Sequence, residues 1–225
     1  MVWICGTYSF ASTFSYRIPY FSSSYALSAP APSPSTIKLA IVASAINRTG
    51  NIETGRILFE KIRTSEVLME LPEKISIFKV FLKRLKKKRQ EQAFEPTFGI
   101  REYAIYNGPL KIYLNVPKGT LEAIIEALRN IQFLGTSDSI CTCTHIAKVA
   151  QPPAKCAKPH STAKQEKTNG IIFLLTDFTN KATFDAVNPY AKKKLRKNED
   201  IILRPYIFPI KVIKKDKNCT VYASL

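Results

Sequence analysis

The chain has 225 residues, 45 % of them hydrophobic and 11 % aromatic, and a net charge of +17 from 34 Lys+Arg against 17 Asp+Glu. This composition excludes wholesale disorder, and the charge points to an acidic partner: nucleic acid, an anionic membrane or an acidic protein. No apolar run reaches the ~18 residues of a spanning helix. Thr7, Tyr8, Ser9, Ser12, Thr13 and Ser15 interrupt the apolar stretch a secretory signal would need, and five cysteines, an odd number, suit a reducing cytoplasm better than a paired framework.

Residues 2–10 mix Val, Trp, Ile, Cys, Tyr and Phe and predict a first strand. A Ser/Tyr/Phe-rich loop follows, from Ser12 to Ala29. The Pro-rich stretch 29–36 predicts a helix start near Ser33–Thr36, because Pro suits a first turn and Ser or Thr caps its free N–H groups. That helix runs to about Asn47 and is apolar nearly all round, hence buried, with Lys38 as its one charge. A second helix is predicted at 53–63 and a strand from Val67 to Leu71. Strands at 100–106 and 110–116 flank the turn Asn107-Gly108-Pro109. Leu121, Ile124, Ile125, Leu128 and Ile131 follow the helical period, with Thr120 at the cap position and Gly135 as the stop. Further strands are predicted at 139–149, 171–178 and 201–213. The segment 151–169, without periodicity, reads as a mobile surface loop.

This order fits an α+β fold: a ferredoxin-like β-α-β-β-α-β core with an insertion before the middle strands and a β-rich C-terminal extension. The expected division is 1–150 as one domain and 151–225 as the loop and extension.

The charge is local. Residues 79–89, 192–197 and 148–167 carry net +7, +5 and +4. In the first run Lys79, Lys83, Arg84, Lys86, Lys87, Lys88 and Arg89 give seven cations in eleven residues. Phe78, Phe81, Leu82 and Leu85 interleave at helix-like spacing, so an apolar face could anchor the segment with the cations outward. Clustered cations meet successive phosphates and release counterions; a solvated face and a membrane-surface helix are the alternatives. The run Lys192, Lys193, Lys194, Arg196, Lys197 is equally compatible with a solubilising loop. At the first helix start, Ser35, Thr36 and Lys38 would favour an anion, against a plain entry into a buried helix.

Cys141, Cys143 and His145 would share one face of a strand, and Cys156 or His160 could complete a zinc tetrahedron; buried free cysteines are the plainer reading. The chain has no Walker loop, G-x-G-x-x-G, G-x-S-x-G or H-E-x-x-H. A metal-independent ribonuclease using Tyr, Lys and His145 or His160 is the enzymatic alternative, and a zinc-stabilised interaction module the third.

Several stretches together resemble a known family: a Ser/Tyr/Arg loop after the first strand, Pro-Ser-Pro-Ser-Thr-Ile-Lys-Leu-Ala (32–40), Ile-Arg-Glu-Tyr-Ala-Ile-Tyr-Asn-Gly-Pro-Leu-Lys-Ile-Tyr (100–113) and Phe-Leu-Gly-Thr-Ser-Asp-Ser (133–139). Over roughly residues 5–145 the chain resembles the Cas-five family of CRISPR-associated proteins, within the RAMP superfamily and closest to the archaeal type I-A branch. The resemblance implies a ferredoxin-like, RRM-type domain with a thumb inserted at about 66–110. It implies a non-catalytic, cytoplasmic subunit of the Cascade surveillance complex, active in antiviral defence, that caps the backbone and grips the 5′ handle of the crRNA. The backbone subunit and the large subunit would be its protein partners, with no membrane. Carried onto this chain, the handle would meet Tyr16, Arg17 and Tyr20, then Ser35, Thr36 and Lys38, the thumb cations 79–89, Arg101, and the turn Gly135-Thr136-Ser137. One branch cuts pre-crRNA with Tyr, Lys and His; Lys111 here has no adjacent His, so that role is not carried over. No cofactor is implied, and the Cys/His cluster departs from the family pattern.

Overall fold

Alternation makes the first strand, β1 (Val2–Phe10), two-sided. Ile4 and Tyr8 are fully buried on one face, while Trp3, Cys5 and Thr7 lie on the other. The computed structural model in which these contacts are seen describes residues 1–22, 24–87, 93–165, 168–191 and 193–225, with all their side chains except those of Arg84, Lys164 and Gln165. The loop after β1 contributes a two-residue strand, β2 (Tyr25–Ala26). Helix α1 (Pro34–Thr49) begins where the Pro-Ser pattern predicts: Ser33 is the N-cap, its Oγ accepting the Thr36 amide at 3.2 Å, and Gly50 at φ 64° closes the helix. Asn51 caps α2 (Ile52–Ile62) by accepting the Glu53 amide.

Strand β3 (Val67–Glu70) leads into a long hairpin, β4 (Lys74–Lys87) and β5 (Phe94–Tyr106), and then β6 (Leu110–Val116). A 3-10 turn, Lys118–Thr120, precedes α3 (Leu121–Arg129). Thr120 does not cap this helix; its hydroxyl donates back to the Pro117 carbonyl at 3.1 Å. The chain continues through β7 (Cys141–Val149), β8 (Lys158–Pro159), α4 (His160–Gln165), β9 (Ile171–Phe178), α5 (Phe184–Val187), β10 (Ile201–Phe208), β11 (Ile210–Lys215) and β12 (Cys219–Ser224).

Three sheets result. The first has the order β3-β6-β1-β7, antiparallel throughout. Helices α1 and α3 close its inner face: Ile37 and Ile41 of α1 and Ile124 and Leu128 of α3 share one core with Ile4, Tyr8, Ile112 and Leu114. Tyr8 buries its ring and donates its hydroxyl to the Leu128 carbonyl at 2.8 Å, so the phenol is satisfied inside the core. The second sheet, β8-β10-β9, packs onto α1 through β9. The third runs β11-β12-β4-β5-β2, so the C-terminal hairpin extends the sheet of the inserted hairpin.

Two elements differ from what the sequence pattern predicts. The basic run is not an amphipathic helix. It lies on β4, whose register with β5 runs unbroken from Ile75↔Tyr106 to Lys87↔Phe94, and the Ile75, Ile77, Val80 and Phe81 of that strand suit a β conformation. The segment 151–169 is partly interior: Cys156, Ala157 and Lys158 are buried, Ala157 exchanges two backbone hydrogen bonds with Met69, and Lys158 and Pro159 pair with β10.

Candidate nucleic-acid interface

The β4–β5 hairpin begins in the core and ends outside it. At its base Ile75, Ile77 and Ala104 are buried. The same face then continues outward as Lys79, Phe81, Lys83, Leu85 and Lys87 on β4, opposite Glu102, Ile100, Phe98, Pro96 and Phe94 on β5. Phe81, Leu85, Phe94 and Phe98 are 57–69 % exposed, and the rings of Phe81 and Phe98 stack at 5.6 Å with 17° between planes. Lys79 lies 5.5 Å from the centroid of the Tyr25 ring, within cation–π range. This face therefore alternates cations with flat apolar surface. The opposite face carries Val80, Leu82 and Lys86 against Arg101, Gly99 and Glu95. There a cleft of 310 Å³ is lined by Ser24, Ala26, Leu82, Lys86, Gly99 and Arg101. Arg101 is 21 % exposed, its guanidinium 3.9 Å from Asp138.

The loop after β1 clamps the free edge of β5. Phe14 and Ala104 exchange backbone bonds at 2.8 and 2.7 Å, and the Ile100 amide donates to Ser24. The Ser28 amide donates to the Glu102 carboxylate at 3.0 Å. The turn Gly135-Thr136-Ser137 docks on the same loop, with the Thr136 amide donating to the Ser15 carbonyl at 3.0 Å. Gly135 sits at φ 94°, and a Cβ there would meet that carbonyl oxygen at 2.5 Å, so the approach requires glycine.

The expected RNA contacts thus divide. Exposed are Arg17, Tyr20, Lys83, Lys86, Lys87 and Ser137, with Lys79, Arg101 and Thr136 partly covered; Tyr20 lines a cleft with Thr176, Ile201 and Leu203 of the second sheet and not with the hairpin. Arg84 is on β4, and Lys88 and Arg89 lie outside the described residues. The start of α1 is different. Ser35 and Lys38 are buried. The Lys38 ammonium, fully inaccessible, donates to Asp177 at 2.7 Å and to the Arg63 carbonyl at 2.8 Å. Burial pulls its pKa down while Asp177 opposes that shift. Ser33, Ser35, Thr36 and Thr176 bond one another through their hydroxyls, and the mostly buried Tyr16 adds its own hydroxyl to Thr176 at 3.0 Å. The N-terminus of α1 is thereby filled by protein oxygen, which corrects the expectation of an anion site at Ser35 and Lys38.

In the second basic run, Lys193, Lys194 and Lys197 are exposed, while Arg196 is held by Asp200 at 3.1 Å; Lys192 lies outside the described residues. The structure also adds cations that the charge-run reading passed over. Lys211, Lys214, Lys215 and Lys217 are exposed on the C-terminal hairpin, whose turn touches Lys79: the Lys79 amide donates to Asn218 at 2.9 Å and its ammonium to the Lys217 carbonyl at 3.2 Å. The Lys-rich stretch 211–217 was visible in the sequence, but its place beside β4 was not.

The Cys/His cluster is not one face of a strand. Register places Thr7 opposite His145 but Tyr8 opposite Cys143, so Thr144 is an extra residue in a β-bulge. The bulge turns Cys141 and Cys143 toward the core side, with Tyr8 and Phe10, and leaves His145 exposed on the other. Cys156 belongs to a separate cluster with Cys5, Leu68 and Tyr113. Burial pushes the Cys141 and Cys156 thiols up to about 12, away from the thiolate that zinc requires. Among the described residues no group of three or more His, Cys, Asp or Glu is placed to hold a metal ion. His160 opens α4, on a different element from His145.

No helix is long and apolar enough to cross a membrane among the described residues. No family model matches the chain. The fold resembles that of a CRISPR protein from Archaeoglobus fulgidus solved by crystallography, with a TM-score of 0.53 and 13 % identity, covering 100 % of this chain and 92 % of that one. In sequence, the chain is 37 % identical over 226 aligned residues to the CRISPR-associated protein Cas5 of Archaeoglobus fulgidus, covering 96 % of each protein. Identity at that level along nearly the whole of both chains makes this protein a member of the Cas5 family of CRISPR-associated proteins.

Proposed function

We propose that this protein is the subunit that grips the 5′ handle of a crRNA and caps the backbone of a type I, archaeal I-A-like Cascade complex in the cytoplasm, acting by binding and not by catalysis. In this reading the sheet β7-β1-β6-β3 with α1 and α3 is the ferredoxin-like core and β4–β5 is the thumb. Residues 1–150 hold the RNA-binding domain and 151–225 extend it. The backbone subunit and the large subunit would be its protein neighbours.

The observation that carries the reading is the hairpin face on which Lys79, Lys83 and Lys87 alternate with exposed Phe81 and Leu85, backed by Phe94 and Phe98. Single-stranded RNA is held by cations that track the phosphates and by rings on which bases stack. Arg17 and Tyr20, both exposed on the loop after β1, offer a further cation and ring, with Tyr20 at the second sheet.

Filter binding of handle RNA across a salt series tests this. The wild type should lose affinity steeply as salt rises. The variant Lys83→Gln/Lys87→Gln should show a log–log slope shallower by about 1.4, each lost single-strand phosphate contact being worth about 0.7. A salt response that is flat in the wild type sinks the proposal.

A further inference from the structure

The sheet that carries the hairpin has two faces, and only one of them meets the core. At its base Ile75, Ile77 and Ala104 are in the hydrophobic core, with Tyr106 and Tyr222 packed against it. An antiparallel sheet with one face on a core normally turns polar residues to water on the other. Here the ladders put Phe78, Val80, Tyr103, Ile105, Cys219 and Val221 on the outward face. Cys219, Phe78 and Tyr103 form one row across three strands. Val221, Ser76 and Ile105 form the next row on one side, and Val80 and Arg101 the next on the other. Ile105 is 50 % exposed and the other five apolar residues are partly exposed, none of them in the core. Among the described residues no helix is packed along this sheet.

Two features give this face a chemical preference. The first is a pair of rings on adjacent strands: Phe78 and Tyr103 lie 6.4 Å apart with 31° between planes. Aromatic rings side by side on an open sheet are a surface on which single-stranded bases stack. The second is the sign of the charge around them. Lys74 and Lys211 flank Ala223 at one end of the face, and Lys214 stands opposite Val221. Lys211 and Lys214 share this face although three residues apart, because Ile213 is an extra residue in a bulge. Arg101 is two residues along β5 from Tyr103, about 7 Å. The one acid among the described strand positions of this face is Glu95, at its outer end opposite Lys86. Asp138 lies 3.9 Å from Arg101 and Asp216 3.5 Å from Lys214, while neither Lys74 nor Lys211 is in an ion pair among the described residues. From Lys74 to Val80 the rows span about 20 Å along β4, a length that suits a strand of several nucleotides and not a single one.

We propose that this outward face binds a second single strand of nucleic acid, its bases on Phe78 and Tyr103 and its phosphates at Lys74, Lys211 and Lys214 toward one end and at Arg101 toward the other. The sheet then stands between two strands, the other held on the face that carries Lys83 and Lys87. Apart from Arg101, the site uses none of the residues expected to meet the handle, and it does not rest on handle binding.

The full-length protein is titrated by fluorescence anisotropy with a labelled octauridylate and a labelled octathymidylate. The variant Phe81→Ala/Lys83→Gln/Lys87→Gln/Phe98→Ala, which strips the hairpin's other face, should still bind, and more weakly as salt rises. Adding Phe78→Leu/Tyr103→Leu keeps an apolar side chain at both positions and removes both rings; binding should fall about tenfold or more, with the urea midpoint close to that of the parent. Adding Lys74→Gln/Lys211→Gln instead should make the log–log salt slope shallower by about 1.4. Both lysines are exposed, so this pair decides the matter even if the ring variant does not fold. Tighter binding of the octauridylate identifies the strand as RNA; equal or tighter binding of the octathymidylate identifies it as DNA. The proposal is overturned if the stripped variant binds neither oligonucleotide, or if the lysine pair leaves its affinity and salt slope unchanged. It is also overturned if the ring substitutions abolish self-association in sedimentation without affecting either oligonucleotide, which would make this face a contact between protein copies. A flat salt response to handle RNA sinks the handle reading alone, because the two faces are read on separate variants.

Discussion

The N-terminal half of α1 and the outer half of the β4–β5 hairpin both set lysine among apolar neighbours, and they treat its charge in opposite ways. Lys38 ends on Asp177, 139 residues distant, inside the protein. On the hairpin, Lys83 and Lys87 face Phe98 and Phe94 across the ladder, and both lysines are exposed. A lysine whose countercharge is built into the fold is a structural group. A lysine set among exposed rings without a carboxylate across the ladder is available to an anion from outside. The number of cations in a segment therefore says less than where the nearest carboxylate has been folded.

The comparison breaks most visibly at Lys38. Lys38→Met leaves Asp177 buried without its closest cation and should cost about 3–5 kcal/mol of stability, read by urea denaturation. Pairing it with Asp177→Leu should recover much of the loss, since two apolar groups need no countercharge. Handle RNA affinity of the folded Lys38→Met protein should match the wild type. Weakened RNA binding with unchanged stability would place Lys38 in the interface and reverse the contrast.

The converse experiment is on the hairpin. Phe81→Ala/Phe98→Ala removes two mostly exposed rings, so stability should change by no more than about 1 kcal/mol. RNA affinity should fall by about 1–3 kcal/mol for each base that stacks there. Equal loss of both would mean that the rings support the fold and not a ligand.

Glu70 is the intermediate case, a buried carboxylate whose two lysines, Lys155 and Lys111, are themselves half in water. Burial alone would raise its pKa, but hydrogen bonds from Lys155, Tyr113 and Lys111 together hold it below the ordinary carboxylate value. A depressed folded-state pKa contributes stability that is complete above the unfolded value of about 4.3 and is lost as pH falls through the folded one. Glu70→Gln should therefore flatten the stability loss between about pH 5 and pH 3, measured as the shift of the urea midpoint. An acid limb identical to the wild type would show that this carboxylate is not held by its lysines. The effect should be the smallest of the three, because both lysines are partly solvated.

Much of the core was legible because its signals are local. Aromatic and β-branched content marks β1, the Pro-Ser entry marks α1, and Leu121, Ile124, Leu128 repeat along α3. The hairpin shows where local signals divide. Phe78, Phe81, Leu82 and Leu85 satisfy a helical spacing, while Lys79, Phe81, Lys83, Leu85 and Lys87 alternate as a strand should. The partner settles it: residues 94–99, which carried no strand expectation, complete the ladder. At β7 one inserted residue, Thr144, was enough to separate Cys141 and Cys143 from His145. The cationic rim of the outward sheet face had no sequence signature, since Lys211 and Lys214 reach it only through the pairing of β12 with β4.

The sequence by itself determined the amount of charge, the positions of the basic runs, the apolar periodicity of the main helices and a resemblance that whole-chain identity to a Cas5 protein bears out. These are properties of neighbours along the chain. Only the tertiary structure decided which cations meet solvent, which are neutralised, and which rings are left uncovered. Those outcomes depend on burial and on partners brought from far along the chain, as Asp177 is to Lys38 and the C-terminal hairpin is to Lys79, and an electrostatic interaction takes its strength from the medium in which the fold has placed it.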